Sequence, residues 1–274
     1  MQQINTLDKF RIDGRVAIIT GGAGLLGRKH AEAIAEAGGF PVLWDVDLAR
    51  ARDTLGALPG AGSAQQVDIT DEASVAQGLK KALEAQGRVD ILVNNAARDP
   101  KVAADGKVNA SRLEHFPRSE WDIDLAVGLT GAFLCAKHLG AYMAGNGGGV
   151  ILNIASDLGV IAPDQRIYRK EGLEDALQPA KPVTYSVVKH GLVGLTKYLA
   201  TYWAGKNVRC NALSPGGVFN GQPDDFVSRL TNLIPMGRMA AADEYKAAVL
   251  FLTSDASSYM TGANLSMDGG RTCW

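Results

Sequence analysis

The stretch that most constrains the fold is residues 15–39, RVAIITGGAGLLGRKHAEAIAEAGG. It opens with a short apolar run, residues 16–19, which is typical of a strand that is covered on both faces. Gly21, Gly24 and Gly27 follow in G-x-x-G-x-x-G spacing, and a helical pattern comes next. Such glycines let a backbone turn tightly and let a pyrophosphate approach the N–H groups at a helix N-terminus. The stretch therefore predicts a strand, a phosphate-binding turn and a helix.

An acidic residue follows at the place that a dinucleotide-binding fold requires. The second predicted strand, residues 41–44, ends at Asp45, and such folds have an acid about 20 residues beyond the glycine turn, where it hydrogen-bonds the adenosine ribose 2′-OH. A carboxylate there repels a 2′-phosphate, and Gly22 and Ala23 of the turn carry no basic side chain to bind one. These residues predict NAD as the cofactor in preference to NADP.

Short apolar runs alternate with helical segments along the rest of the chain, without a repeat or a linker. This alternation predicts one α/β domain over residues 1–274 with a doubly wound parallel sheet in three α/β/α layers. The carboxyl ends of the predicted strands carry small or polar residues, which is where open α/β sheets bind ligands. Further strands are expected at 64–67, 89–93, 149–154, 208–212 and 264–267, and helices at 47–58, 73–85, 121–143 and 185–203.

Bulk composition argues against several other classes of protein. A net charge of −1 argues against a nucleic-acid partner. The three cysteines lie far apart and the four histidines lack metal-ligand spacing, so neither a disulfide framework nor a metal site is expected. The start of the chain lacks the apolar core of a signal peptide, and no uninterrupted apolar run reaches about 18 residues. We therefore expect a cytoplasmic protein without a membrane partner.

Several short motifs occur in a fixed order along essentially the whole chain. They are Thr20-Gly21-x-x-Gly24-x-x-Gly27, Asp68-Ile69, Asn94-Asn95-Ala96-Ala97, Ser156, Tyr185-x-x-x-Lys189, Pro215-Gly216 and Asp268-Gly269-Gly270. In both content and order they resemble the motifs of the short-chain dehydrogenase/reductase family. The resemblance implies a Rossmann-type fold and an NAD-dependent enzyme. The cofactor-binding residues that it implies are Gly21, Gly24, Leu26, Gly27, Asp45, Asp68, Ile69, Asn95, Ala96, Ala97, Tyr185, Lys189, Pro215 and Val218.

The same resemblance assigns catalysis to Ser156, Tyr185 and Lys189. Tyr185 and Lys189 lie one helical turn apart on the same face. A phenol is a poor base at pH 7, and a neighbouring ammonium lowers its pKa. Tyr185 is then the proton acceptor in oxidation and the donor in reduction, while Ser156 holds the substrate oxygen. In this family the two long helices pair across a subunit interface, which implies a homodimer or homotetramer.

Three departures from the family pattern affect the interpretation. Gly128 stands where the family has a catalytic Asn, and we interpret it as altered support for a helix kink. The glycine spacing is typical of the extended branch, many of whose members modify nucleotide sugars, but the chain has the length of the shorter branch. The predicted substrate loops, about 98–120, 157–184 and 219–235, include a long segment between Ser156 and Tyr185.

The loop of residues 157–184 suggests a substrate class. Arg166 and Arg169 predict binding of an anionic or polyhydroxylated substrate such as a sugar phosphate, although the acidic residues of the same loop are equally consistent with a solvated surface. Together with Gly128 and the PGGVFNG turn, this loop also resembles bacterial oxidoreductases of flagellin and surface-glycan modification.

Three functions stay open on the sequence. The first is an NAD-dependent oxidoreductase that acts on a secondary alcohol or ketone, for which a sugar-derived small molecule is the expected class of substrate. The second is a sugar-nucleotide epimerase or dehydratase that recycles NAD. The third is a non-catalytic nucleotide-binding scaffold, which only Gly128 favours.

Overall fold

A single parallel sheet organises the part of the chain described by the computed structural model, residues 5–98 and 110–274. Its seven strands have the order β3-β2-β1-β4-β5-β6-β7, and each neighbouring pair is parallel. The order reverses between β1 and β4, which confirms the predicted doubly wound topology and makes a ligand crevice at their carboxyl ends. The strands are β1 Val16–Thr20, β2 Phe40–Asp45, β3 Ser63–Gln66, β4 Ile91–Asn94, β5 Gly149–Ile154, β6 Val208–Pro215 and β7 Asn264–Met267.

Helices cover both faces of this sheet and so complete the predicted three layers. Alternate residues of β1 point to opposite faces. Ile18 lies in one core cluster with Leu139 and Leu199, while Ile19 lies in the other with Ile34. The principal helices are α1 Leu25–Glu36, α2 Leu48–Gly56, α3 Glu72–Gln86, α4 Arg118–Gly145, α5 Val183–Tyr202, α6 Asp224–Thr231 and α7 Lys246–Thr253.

Some boundaries differ from the sequence prediction for identifiable reasons. The strand expected at 208–212 continues to Pro215, because β6 pairs with β5 on one side and with β7 on the other. The helix expected at 121–143 begins at Arg118, directly after Pro117. Its first turn is polar, so the apolar periodicity did not include it. Both changes lengthen elements that border the crevice.

The long helix α4 contains two π-helical segments, Ala126–Thr130 and Ala136–Gly140. By length and composition alone, α4 is long and apolar enough to cross a membrane, although half of its most apolar 18-residue stretch is buried within the protein. Leu139 and Met143 pack in the core cluster against the sheet. This packing makes α4 a core helix of one outer layer.

His30 of α1 is completely buried, and neither of its ring nitrogens has a hydrogen-bond partner among the described residues. Burial lowers its pKa from 6.5 to about 3. The folded protein therefore holds this imidazole neutral at pH values where an unfolded chain would protonate it.

Because the unfolded chain binds this proton and the folded chain does not, acidification below pH 6.5 favours unfolding. We expect His30 to reduce the free energy of unfolding by about 1.6 kcal/mol in total between pH 6.5 and pH 5, with a slope that approaches about 1.4 kcal/mol per pH unit as the unfolded imidazole becomes fully protonated. Urea unfolding of the wild type and of His30→Leu at several pH values measures this, since the other titrating groups are common to both. A stability difference that stays constant with pH would contradict the prediction.

Candidate active site

The glycine turn after β1 is held against the end of β4. Asn95 donates its side-chain N–H groups to the carbonyl oxygens of Thr20 at 3.0 Å and Gly21 at 3.1 Å. The Thr20 hydroxyl accepts the backbone N–H groups of Asn95 and Ala96. Gly21 has a φ of 61°, and a Cβ there would lie 2.8 Å from Cα of Ala96. Only glycine fits this position without strain.

A cleft of about 890 Å³ opens at the carboxyl ends of β1, β4, β5 and β6. Gly27 does not line it, and its predicted cofactor contact stays a prediction. This residue is buried behind the turn, where a Cβ would collide with the Gly21 carbonyl oxygen. The predicted cofactor-binding residues that do line the cleft are Gly21, Gly24, Leu26, Asp45, Asp68, Ile69, Asn95, Ala96, Ala97, Tyr185, Lys189, Pro215 and Val218.

Asp45 lies at the end of β2, where its carboxylate is fixed by backbone donors. One oxygen accepts the N–H of Ala23 in the glycine turn at 3.0 Å, and the other accepts the N–H of Asp47 at 3.1 Å. Arg50 of α2 lines the same cleft, and the sequence argument missed it because that argument considered basic side chains only within the turn. This end of the cleft therefore presents both a carboxylate and a positively charged guanidinium.

The three predicted catalytic residues come together in the cleft. Ser156 follows β5, while Tyr185 and Lys189 lie one turn apart on α5. The Tyr185 hydroxyl donates to Ser156 Oγ at 3.5 Å. The buried Lys189 ammonium donates to the backbone carbonyl of Ile154 at 2.8 Å and lies 5.8 Å from the centre of the Tyr185 ring. This geometry suits proton transfer at the phenol oxygen, supported by a fixed positive charge.

A second lysine, which the sequence analysis did not single out, also lies beside the tyrosine. Lys181 Nζ is 3.8 Å from the centre of the Tyr185 ring, which is a cation–π distance, and the residue lines the cleft. It precedes α5, so helical spacing gave no reason to pair it with Tyr185. The ring thus lies near two ammonium groups.

Ser156 is further connected to a buried ion pair. Its hydroxyl donates to Asp157 Oδ1 at 2.7 Å, and the Leu158 N–H donates to the same oxygen at 2.8 Å. Arg271 Nη1 donates to Asp157 Oδ2 at 2.7 Å. The exposed fractions of Asp157 and Arg271 are 3% and 6%, and both line the cleft. Sequence reasoning missed this pair, because only the preceding Asp268-Gly269-Gly270 motif was noted.

Arg166 and Arg169 do not line the cleft, and their predicted contact with the substrate stays a prediction. Arg166 is paired with Asp164 at 2.6 Å and its side chain is 83% exposed, while Arg169 is paired with Asp175. Both line a separate cavity of about 650 Å³. Each arginine pairs with a carboxylate of its own loop, as the solvated-surface interpretation expected.

Other parts of the predicted substrate loops do reach the cleft. Arg98 borders it at the start of the first loop, whose residues 99–109 lie outside the described residues. From the loop after β5, Ile167 and Tyr168 line the cleft. Phe226 and Leu230 of α6 line it within the third loop, 219–235. The substrate end of the cleft is thus largely apolar, with a few buried polar groups.

Gly128 lies in the first π segment of α4 and is buried against α5. A Cβ at this position would lie 2.5 Å from Cγ1 of Val188, the neighbour of Lys189. The space that a side chain would need is therefore filled by Val188. A small cavity of about 20 Å³ remains beside Gly128 and Lys189 and is bordered by Asp124, which accepts hydrogen bonds from Arg98 and Thr184.

Two of the three cysteines are buried thiols, and the described residues hold no cluster of metal-binding side chains. Cys135 and Cys210 are buried, and burial raises the pKa of each thiol to about 12, so neither is a reactive thiolate at pH 7. Across residues 5–98 and 110–274, no group of three or more His, Cys, Asp or Glu side chains could hold a metal ion.

Comparisons with known proteins agree with this geometry. Residues 22–272 match the family model described as Enoyl-(Acyl carrier protein) reductase. A D-threitol dehydrogenase of Mycolicibacterium smegmatis is 35% identical over 99% of this chain and 98% of its own. An NAD-dependent glycerol dehydrogenase of Listeria innocua is 33% identical over 96% of each chain. The structure of a gluconate 5-dehydrogenase from Burkholderia cenocepacia, in complex with NADP and tartrate, superposes with a TM-score of 0.85 at 28% identity over 98% of this chain and 100% of that one.

The family match covers most of the sequence, and the relatives match over nearly their whole length. The named relatives are dehydrogenases of small hydroxylated molecules, and the cleft holds the tyrosine, lysine and serine that such chemistry requires. The chain belongs to the short-chain dehydrogenase/reductase family and is an oxidoreductase that acts on CH–OH groups.

Proposed function

We propose that the protein is an NAD-dependent dehydrogenase that interconverts a secondary alcohol and a ketone in a small, neutral, sugar-derived polyol. The observation that carries the proposal is the position of Ser156, Tyr185 and Lys189 in the same cleft as the glycine turn and Asp45. A dinucleotide and a small substrate can therefore occupy adjoining parts of one crevice.

The residues of the cleft fit a nicotinamide dinucleotide. The turn at Gly21 and Gly24 lets a pyrophosphate approach the N-terminus of α1, and Asp45 can accept the ribose hydroxyls. A nicotinamide dinucleotide held there would supply the acceptor for the hydride of the carbinol carbon. This chain then has to hold the alcohol oxygen, remove its proton and exclude water from the reacting carbon.

Tyr185 takes up the alcohol proton at its phenol oxygen, while Ser156 holds the substrate oxygen beside it. Lys189, fixed by the Ile154 carbonyl, supplies positive charge that favours the phenolate form of Tyr185. Lys181 adds a second positive charge over the ring. The apolar side chains of Ile167, Phe226 and Leu230 shield the reacting carbon from water.

Support for NAD comes from Asp45, which lines the cleft at the end of β2, where dinucleotide-binding folds have the acid that binds the ribose 2′-OH, and from the NAD dependence named for the glycerol dehydrogenase. Arg50 is the observation that favours NADP, as does the NADP named in the gluconate 5-dehydrogenase structure. We give Asp45 more weight because its orientation is fixed by the Ala23 N–H. The names of relatives that act on threitol and glycerol favour a polyol.

Titration with NADH and NADPH, followed by nicotinamide fluorescence, tests the cofactor. We expect the wild type to bind NADH at least about 10-fold more tightly, because hydrogen bonds between the ribose and a carboxylate would be lost with a 2′-phosphate. Asp45→Ala should weaken NADH binding by about 10-fold. The matched variant Asp45→Asn keeps the shape and an acceptor but removes the charge, so it should mainly relieve the repulsion of NADPH. Tighter binding of NADPH by the wild type would contradict the NAD assignment.

Product analysis separates this function from the epimerase or dehydratase alternative. A dehydrogenase releases NADH in proportion to the polyol oxidised, whereas an epimerase or dehydratase retains and recycles its NAD. Net accumulation of NADH with threitol, glycerol or another polyol would exclude recycling. NAD that copurifies, never exchanges and gives no net NADH would favour it.

We further propose a cytoplasmic homodimer or homotetramer. The support is the apolar surface on the outer sides of α4 and α5, where Phe133, Tyr198 and Tyr202 are about half or more exposed. A self-complementary interface built on these helices would cover them. Size-exclusion chromatography with light scattering measures the subunit number.

A further inference from the structure

We propose that the Asp157–Arg271 ion pair is the subsite for the hydroxyl group next to the reacting carbon, so that the enzyme selects vicinal diols. This inference rests on the proposed function. A continuous row of polar groups runs from Tyr185 through Ser156 and Asp157 to Arg271, joined by the hydrogen bonds given above. Both members of the pair line the cleft in which the substrate must lie.

The spacing of this row matches a vicinal diol. Ser156 Oγ lies 2.7 Å from Asp157 Oδ1, about one hydrogen-bond length, and Oδ2 of the same carboxylate holds Arg271. The ion pair is thus the polar group next to the one that holds the reacting oxygen, as the second hydroxyl of a vicinal diol requires. With the reacting oxygen held at Ser156 and Tyr185, an oxygen on the next carbon comes alongside the ion pair. The two neighbouring oxygens of the substrate then lie along the row of polar groups from Tyr185 to Arg271.

The pair also has hydrogen-bonding capacity left for a hydroxyl group. Asp157 Oδ1 already accepts two donors, whereas Oδ2 accepts only Arg271 Nη1 among the described residues. A guanidinium has five N–H donors, and Asp157 is its one side-chain partner within residues 5–98 and 110–274. A hydroxyl, which both donates and accepts, can therefore donate to Oδ2 and accept from the guanidinium.

Local charge favours a neutral ligand over an anion. Arg271 is compensated by Asp157 at 2.7 Å. It also contributes to lowering the pKa of Asp164, after the larger contribution of Arg166. Because each of these arginines has a carboxylate partner, a bound anion would add uncompensated negative charge, whereas a hydroxyl group would not. This differs from the sugar phosphate predicted from Arg166 and Arg169.

A short turn positions Arg271 for this role. The Asp268 carboxylate accepts the backbone N–H groups of Gly270 at 2.9 Å and Thr272 at 3.0 Å. Gly269 and Gly270 both have positive φ, and a Cβ on either would lie within 3 Å of Ile234 or Pro235. The turn after β7 is thus fixed at both ends of the Arg271 backbone. A preorganised donor loses little entropy when a ligand binds.

The test compares butane-2,3-diol with the matching mono-alcohol, butan-2-ol. Arg271→Leu removes the N–H donors of the guanidinium, and Arg271→Lys keeps the positive charge but not the planar set of donors. The double variant Asp157→Asn/Arg271→Met removes the donor without leaving a buried carboxylate unpaired. Thermal unfolding and NADH binding report whether each variant folds.

We expect the wild type to prefer the diol. In Arg271→Leu and in the double variant, kcat/KM for the diol should fall about 10- to 100-fold relative to that for the mono-alcohol, with a smaller decrease in Arg271→Lys. Equal kcat/KM for the two alcohols in the wild type, or an unchanged ratio in the variants, would overturn the subsite and leave the dehydrogenase function standing.

A second measurement does not depend on turnover. Added butane-2,3-diol should raise the melting temperature of the wild-type enzyme–NADH complex more than butan-2-ol does, and this difference should disappear in Arg271→Leu and in the double variant. If no alcohol is oxidised although NADH binds, the proposed function fails. The diol-specific stabilisation then supports the subsite by itself, and its absence overturns it.

Discussion

Replacement of Tyr185 by phenylalanine is expected to lower kcat/KM for alcohol oxidation by about 10³- to 10⁴-fold, because it removes the phenol that we propose takes the substrate proton. The ring that packs near Lys181 and Lys189 stays in place. NADH affinity should therefore change by less than about 10-fold, because the glycine turn and Asp45 are untouched. Initial rates of NADH formation and NADH fluorescence titration measure the two effects separately.

A matched variant shows whether the loss is specific to the phenol. Ser186→Ala changes the next residue of α5, whose hydroxyl is buried without a hydrogen-bond partner in the described part of the chain, and it should cost less than about 3-fold in kcat/KM. If Tyr185→Phe oxidises alcohols as fast as the wild type, proton transfer does not pass through Tyr185. If Tyr185→Phe also retains full biological function, the scaffold alternative becomes the better account.

Gly128→Asn, which introduces the residue typical of the family, is expected to destabilise this protein by about 3 kcal/mol. The first carbon of the new side chain would lie 2.5 Å from Cγ1 of Val188, and the rest of the amide would have to enter the same filled space. Because Val188 adjoins Lys189 on α5, relief of the clash would also displace the catalytic lysine. Urea unfolding measures the stability, and kcat/KM measures the displacement.

The second half of this experiment makes room for the new side chain. In Gly128→Asn/Val188→Ala the colliding methyl groups are gone, so the double variant should regain at least half of the lost stability. The coupling between the two positions should be about 1–3 kcal/mol, as is typical for residues in direct contact. Additive effects of the two substitutions would show that Val188 is not what excludes a side chain at residue 128.

Much of the fold could be predicted because its signals are local. The apolar run at 16–19, the glycine turn and the periodicity of α1 specify a strand, a turn and a helix from adjacent residues. The end of β6 could not be predicted in this way. Its last residues are strand because β5 and β7 lie on either side, and this depends on residues distant in sequence.

The site could be predicted where residues share a motif, and not where they meet through the tertiary fold. Tyr185 and Lys189 follow from helical spacing and Ser156 from its position after β5. Arg271 was missed because its partner, Asp157, comes from a distant loop. For a related reason, clustering in sequence showed the charges of Arg166 and Arg169 but not the local carboxylates that pair with them.

The cleft draws on residues from the first strand to the turn after the last one. The glycine turn is fastened to the end of β4, and Arg271, beyond β7, reaches Asp157 after β5. A nascent chain that has made the first half of the sheet therefore offers a dinucleotide only part of its contacts. Because Tyr185 and Lys189 lie on α5 and Pro215 and Val218 at the end of β6, the full binding free energy of a dinucleotide is available only to chains that have folded this far, and we expect a bound dinucleotide to protect those chains from degradation.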